Sequence, residues 1–242
     1  MSHRNLIALL FLLILATALP SLARTQTGFL DRTVAMSSTT YRYQVYVPAD
    51  FSKKKSWPVI LFLHGAGERG SDGLLQTDVG IAHAIRLHSS RFPFVVVIPQ
   101  CGEGKIWGEP DMQTQAMAAL EASLKEFHGD RNRIYLTGLS MGGFGTWDII
   151  SRQPDRFAAA VPVCGGGDEA QAPRIAKLPI WAFHGARDMT VKPFRSRRMI
   201  AALERTGGHP RYTEYPHEEH ASWVPAYKDP ELYKWLFAQK RG

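Results

Sequence analysis

Ile134-Tyr-Leu-Thr-Gly-Leu-Ser-Met-Gly-Gly-Phe-Gly-Thr-Trp147 decides the reading of this chain. Ile134 to Thr137 is a short β-prone run, and from Gly143 to Arg152, ahead of Pro154, the pattern turns helical. Between them stands Gly138-Leu139-Ser140-Met141-Gly142, a G-x-S-x-G pentapeptide. A serine on so short a strand-to-helix turn needs strained backbone, which small residues at 138 and 142 permit. Its hydroxyl then stands above the carboxyl edge of a sheet, where a carbonyl carbon can reach it. The pentapeptide alone is a weak signal, and its alternative is an ordinary glycine-rich turn. Its position between a strand and a helix makes it strong.

Working outward, short and nearly continuous apolar runs recur at Val59–Leu63, Phe94–Ile98, Phe157–Val163 and Ile180–Phe183. Such runs suit strands buried on both faces, hence a parallel sheet covered by helices. Tyr41–Val47 alternates like a half-exposed antiparallel strand, and Arg211–Tyr215 reads as the last strand. Helices are expected over Met112–Phe127, Gly143–Arg152, Arg195–Arg205 and Leu232–Lys240. Antiparallel edge strands followed by repeated βα units give an α/β class with a mostly parallel sheet. No linker divides the chain after residue 23, so 24–242 reads as one domain.

A serine hydroxyl is a poor nucleophile until a base takes its proton. In this architecture the chain order is Ser, then Asp or Glu, then His. Asp188 lies just past the strand Ile180–Phe183, on the same sheet edge as Ser140, with Asp168 and Glu169 as rivals; the plain alternative for Asp188 is a helix cap. The loop after Arg211–Tyr215 holds His217 and His220, either of which can reach the site; the span needed to turn back over the sheet favours His220. His64 and His184, at strand ends, read as turn-shaping residues. The oxyanion of a tetrahedral intermediate needs donors, expected from the backbone N–H groups of Met141 and of Ala66 or Gly67 in the loop after Val59–Leu63. Trp107 and Trp223, on loops at the active edge, are candidates for substrate contact, whereas Trp147 and Trp181 suit core packing.

The chain has 242 residues, 45% hydrophobic and 21% charged, the profile of a globular domain. Arg4, the apolar run Leu6–Leu15 and the small residues Ser21 and Ala23 have the layout of a secretory signal over 1–23, which places the mature protein in a secreted or periplasmic setting. A retained signal anchor is the alternative, but the apolar stretch is short of the roughly 20 residues of a membrane span, so no stable membrane insertion is expected after cleavage. The net charge is +7, with scattered basic residues, and no nucleic-acid partner is expected. Cys101 and Cys164 do not make a disulfide framework. No cofactor is implied and no Cys/His cluster has metal-site spacing.

Taken together, Leu63–Gly70, Pro99–Cys101 with Trp107, Leu136–Trp147, Pro162–Asp168, His184–Asp188 and His220–Trp223 with Tyr227 resemble the esterase branch of the α/β-hydrolases. That branch takes in dienelactone-hydrolase-like, carboxylesterase/phospholipase-like and feruloyl-esterase-like proteins. The resemblance spans most of residues 40–240 and matches His220 to the family base. It implies a sheet of about eight strands and a serine esterase using Ser140, Asp188 and His220 on a small-molecule or polymer-linked ester. Some relatives are labelled peptidases, which keeps a serine peptidase open, as it does a binding protein with a relic site. About fifteen residues separate Val163 from the next strand, too few for a lid domain, so an open cleft suited to short acyl, acetyl or feruloyl esters is expected. In this fold two strands separate those ending at Cys101 and Cys164, which favours free thiols.

Overall fold

The computed structural model describes residues 26–37 and 39–242; the expected signal over 1–23 lies outside the described residues. Among the described residues eight strands form one open sheet in the order β1-β2-β4-β3-β5-β6-β7-β8. They are β1 (Gly28–Met36), β2 (Thr39–Val47), β3 (Trp57–Leu63), β4 (Val95–Pro99), β5 (Gly129–Leu139), β6 (Ala159–Val163), β7 (Trp181–Gly185) and β8 (Arg211–Tyr215). From β4 through β8 neighbouring strands pair in parallel, and β2 alone runs against its neighbours.

The apolar runs explain the layering. Every residue of β3, β4 and β6 is buried, because helices cover both faces. Val59, Leu61 and Leu63 of β3 face one core with α2 (Pro110–Glu126), α3 (Met141–Arg152), the short α4 (Ala172–Ile175) and α5 (Phe194–Arg205). Ile60 and Phe62 face the other core, built with α1 (Gly80–Leu87), α6 (Trp223–Lys228) and α7 (Pro230–Ala238). Trp147 is fully buried in the first core, while Trp181 is half-buried against Phe183 and Trp235.

The chain leaves β3 toward β4 through α1, on one face, and leaves β5 toward β6 through α3, on the other. The carboxyl ends of β3 and β5 therefore flank a topological switch point, where open α/β sheets leave a crevice. Cys101 and Cys164 follow β4 and β6, which β3 and β5 separate, and both thiols are free and buried.

Several boundaries differ from the sequence expectation for local reasons. The helix expected from Leu232 begins at Pro230, because the Asp229 side chain accepts the Glu231 N–H and proline suits the first helical position. The strand expected from Phe157 begins at Ala159, once the chain is in register with Tyr135.

Candidate active site

Ser140 joins β5 to α3 with φ +53° and ψ −115°, a conformation rare outside glycine. Its N–H donates to the Val163 carbonyl at 3.0 Å and meets Cys164 Sγ at 3.3 Å, which anchors the strained turn to the end of β6. The flanking glycines are steric necessities. A Cβ on Gly138 would stand 2.4 Å from the Gly142 carbonyl oxygen, and one on Gly142 would stand 2.0 Å from the Leu63 carbonyl oxygen.

His220 follows β8 and Asp188 follows β7. The two loops are clipped together by Ala186 N–H to Tyr215 O at 2.9 Å and Arg187 N–H to Glu218 O at 3.0 Å. His220 Nε2 lies 2.9 Å from Ser140 Oγ, and its Nδ1 lies 2.7 Å from Asp188 Oδ2. The carboxylate only accepts, so Nδ1 carries the hydrogen and Nε2 is free to accept from the serine. Asp188 is 1% exposed, and its Oδ1 accepts the N–H groups of Thr190 and Val191 at 2.9 Å each. The capping role and the contact with His220 thus coexist on one side chain. His217 is exposed and turned to Arg187, while Asp168 caps Ala170 and Glu169 pairs with Arg198.

The loop after β3 borders the serine, since a Cβ on Gly65 would stand 3.8 Å from Ser140 Cβ. Glu68 holds this loop by accepting the Gly65 N–H at 2.9 Å. Ala66 opens a short 3₁₀ turn and Met141 opens α3. An N–H in a first helical turn has no intrahelical acceptor, and a helix N-terminus favours negative charge.

His64 is the rivet beneath. Its Nε2 accepts the Cys101 N–H at 2.9 Å, so Nδ1 carries the hydrogen toward Gly65 O at 2.6 Å. Burial pushes its pKa down to about 4, against about 6.5 in an unfolded chain. Between those values the unfolded chain binds the extra proton, so stability is full above pH ~6.5 and falls as pH drops toward 4. The expected loss at this residue is on the order of 3 kcal/mol. Urea midpoints at pH 7 and pH 4 should therefore differ more in the wild type than in His64→Gln, which has no ring to titrate. His184, which burial also pushes down, contributes in the same direction in both proteins.

A cavity of about 730 Å³ opens beside Ser140, with Trp107, Met141, Ile106 and Phe144 among its apolar lining. Its charged lining is Asp148, Arg152, Asp168 and Arg174. Trp107 lines this cavity, although its indole is fully buried and donates to the His64 carbonyl at 3.0 Å. Trp223 does not line it. Its ring meets the His220 ring edge-on at 5.3 Å and borders a separate cavity of about 210 Å³ with Val79 and Tyr227. Trp223 thus sits against the His220 ring rather than in the wall of this cavity, because a loop position fixes the sheet edge but not the direction of the ring.

Cys164, Asp188 and His220 bring ligand-type atoms within 4.8 Å of one another. Their chemistry fits a metal poorly, because burial pushes the Cys164 thiol up to about 12 and the other two are hydrogen-bonded to each other.

A crystal structure described as a thermostable esterase superposes with a TM-score of 0.80 at 37% identity, covering 88% of this chain and 63% of that one. The chain is an α/β-hydrolase by fold. Further α/β-hydrolase structures, among them a ferulic acid esterase at 18% identity and a TM-score of 0.68, agree on the fold. The model of the prolyl oligopeptidase family (peptidase family S9) matches residues 105–172, which run from the Trp107 loop through the serine turn to α4. A bifunctional acetylxylan esterase/xylanase of Neocallimastix patriciarum is 32% identical over 152 residues, 60% of this chain and 21% of that protein. An uncharacterized secreted protein of Arthroderma benhamiae is 28% identical over 223 residues, 76% of this α/β-hydrolase and 23% of the relative. The chain therefore spans under a quarter of the length of these curated relatives.

The cavity walls Ile106, Phe144, Asp148, Arg152 and Arg174 carry no signal in the sequence. Ile106 and Phe144 are exposed apolar residues in contact with solvent, and no local pattern distinguishes such residues from ordinary surface ones.

Proposed function

We propose that this chain is a serine esterase, with Ser140 as nucleophile, His220 as general base and acid, and Asp188 as the group that orients His220. The observation that carries this reading is the unbroken line of hydrogen bonds from Asp188 through His220 to Ser140, with the serine in the wall of a cavity. Ser140 Oγ attacks the ester carbonyl carbon as His220 Nε2 takes its proton. The oxyanion receives the N–H groups of Met141 and Ala66, and Asp188 stabilises the imidazolium. Collapse breaks the carbon–alkoxy bond, and the alcohol leaves with the proton from His220. A water then attacks the acyl-serine, giving its proton to His220. The carboxylic acid departs as Ser140 regains a proton.

An ester on a polymer outside the cytoplasm is the substrate setting this reading favours. Similarity to an acetylxylan esterase/xylanase and to a secreted protein supports it, as does the signal-like layout of residues 1–23. No helix among the described residues is long and apolar enough to cross a membrane. The cavity exceeds what an acetyl group fills, so bulkier acyl groups such as feruloyl are admitted.

Peptide hydrolysis is the second reading, favoured by the prolyl oligopeptidase family match and by 29% identity over 132 residues to dipeptidyl-peptidase 5 of Porphyromonas gingivalis. A panel of p-nitrophenyl esters from acetate to palmitate, with methyl ferulate and a peptide anilide, separates the two. Turnover of esters with little of the anilide is expected; turnover of the anilide alone overturns the esterase.

A further inference from the structure

A second imidazole lies behind the carboxylate. His184, the penultimate residue of β7, is fully buried. Its Nε2 is 2.8 Å from Val191 O and 3.3 Å from Asp188 Oδ2, the oxygen that His220 also uses. Its Nδ1 is 2.7 Å from Ser196 Oγ on α5, which is itself 3.0 Å from Gly165 O.

The hydrogens follow from the partners. A backbone carbonyl only accepts, so Nε2 carries a hydrogen. Burial disfavours the charged ring, outweighing the pull of Val191 O and of Asp188. A neutral ring leaves Nδ1 as an acceptor for the Ser196 hydroxyl, whose single hydrogen is shared with the Gly165 carbonyl; the Val191 carbonyl, which only accepts, sets the tautomer. The Nε2–H is directed at Val191 O at 2.8 Å, and Asp188 Oδ2 lies 3.3 Å from the same nitrogen. Val191 closes a small ring, giving its N–H to Asp188 Oδ1 while its carbonyl receives from His184. Rotating the carboxylate out of its plane breaks donors on both oxygens at once.

We propose that His184 is a positioning residue for Asp188: its Nε2–H is the second donor on Oδ2 and holds that oxygen in line with His220 Nδ1. The proposal rests on the roles assigned above to Ser140, His220 and Asp188. It assigns His184 more than the turn-shaping that its place at a strand end suggests. Withdrawing the donor has two consequences. The carboxylate gains freedom to turn, which slows turnover, and its oxygen becomes a stronger acceptor, which makes His220 more basic. The other titratable groups facing this cluster are the Cys164 thiol after β6 and Glu214 on β8, and both stay the same in the variants below.

The test uses the full chain as wild type, His184→Leu and His184→Gln, with p-nitrophenyl acetate as substrate. His184→Leu should lower kcat about tenfold, the worth of one hydrogen bond to a charged group, with KM within about twofold and the acid limb of the kcat/KM profile moved to higher pH. His184→Gln, whose amide N–H restores a donor, should recover most of the loss and the wild-type limb. Ser196→Ala, which removes the partner on α5 that orients the His184 ring, gives a second route if the leucine variant does not fold: it should lower kcat at unchanged KM. The proposal is overturned if wild-type kcat and pH profile persist in His184→Leu or Ser196→Ala, or if the glutamine variant is as impaired as the leucine one. Undiminished activity in Ser140→Ala would instead sink the triad itself.

Discussion

Ser140→Ala should lower kcat toward p-nitrophenyl acetate by roughly 10⁴- to 10⁶-fold while leaving the fold intact, since removing a serine nucleophile costs about this much elsewhere. The hydroxyl accepts no backbone donor and serves no cap, so nothing in the packing depends on it. Stopped-flow or long-time-course kinetics measures the effect, with a urea titration to show that stability is kept. His220→Ala should lose about as much, and the double variant hardly more, because the two act in one proton transfer and their losses do not add. Activity within tenfold of wild type in either single variant would remove these residues from the chemistry.

The second large effect is structural in origin. Gly142→Ala would put a methyl group 2.0 Å from Leu63 O, 2.5 Å from Leu63 C and 2.8 Å from His64 O. All three atoms are backbone at the end of a buried central strand, so no side chain can swing away. Either α3 backs off from β3 or the serine turn deforms. Overpacking on this scale costs about 3 kcal/mol or more, which for a domain of this size lowers Tm by roughly 6–12 °C. Because the same strand end leads into the loop carrying Ala66, kcat should fall at least about a hundredfold, the worth of one misplaced oxyanion donor. Thermal unfolding followed by circular dichroism, beside steady-state kinetics, checks both parts. Wild-type Tm and kcat in this variant would mean that the close approach of β3 and α3 is not as described.

These effects show why some of the molecule was legible in its sequence. Val59–Leu63 and Ile134–Thr137 are continuous apolar runs because helices cover both faces of those strands, and such burial leaves its mark on every residue. The serine turn was legible because close backbone approach admits nothing larger than hydrogen at 138 and 142. Positions 188 and 220 stood out because a parallel sheet delivers each βα loop to one edge, in chain order. Less was legible where geometry rather than burial decides. β1 is half-buried along its length and carries no continuous apolar run. α1 and α6 have eight and six residues, too few for a clear helical period. Trp223 lies at the expected edge, yet its ring meets His220 and borders a separate cavity. The walls formed by Asp168 and Arg174 come from the segment between β6 and β7, whose path no periodicity announces. The contact of His184 with Asp188 depends on a four-residue turn folding back on itself, and spacing alone does not encode it.

One experiment bears most directly on Ser140 as an activated nucleophile. The full chain is treated with diethyl p-nitrophenyl phosphate, and the product is analysed by intact mass and peptide mapping. One diethylphosphoryl group per chain is predicted, on the peptide holding Ser140, with esterase activity lost in proportion and no labelling of Ser140→Ala. Ester hydrolysis that continues in the unlabelled chain despite excess reagent, or a label on any other residue that abolishes activity, would contradict it.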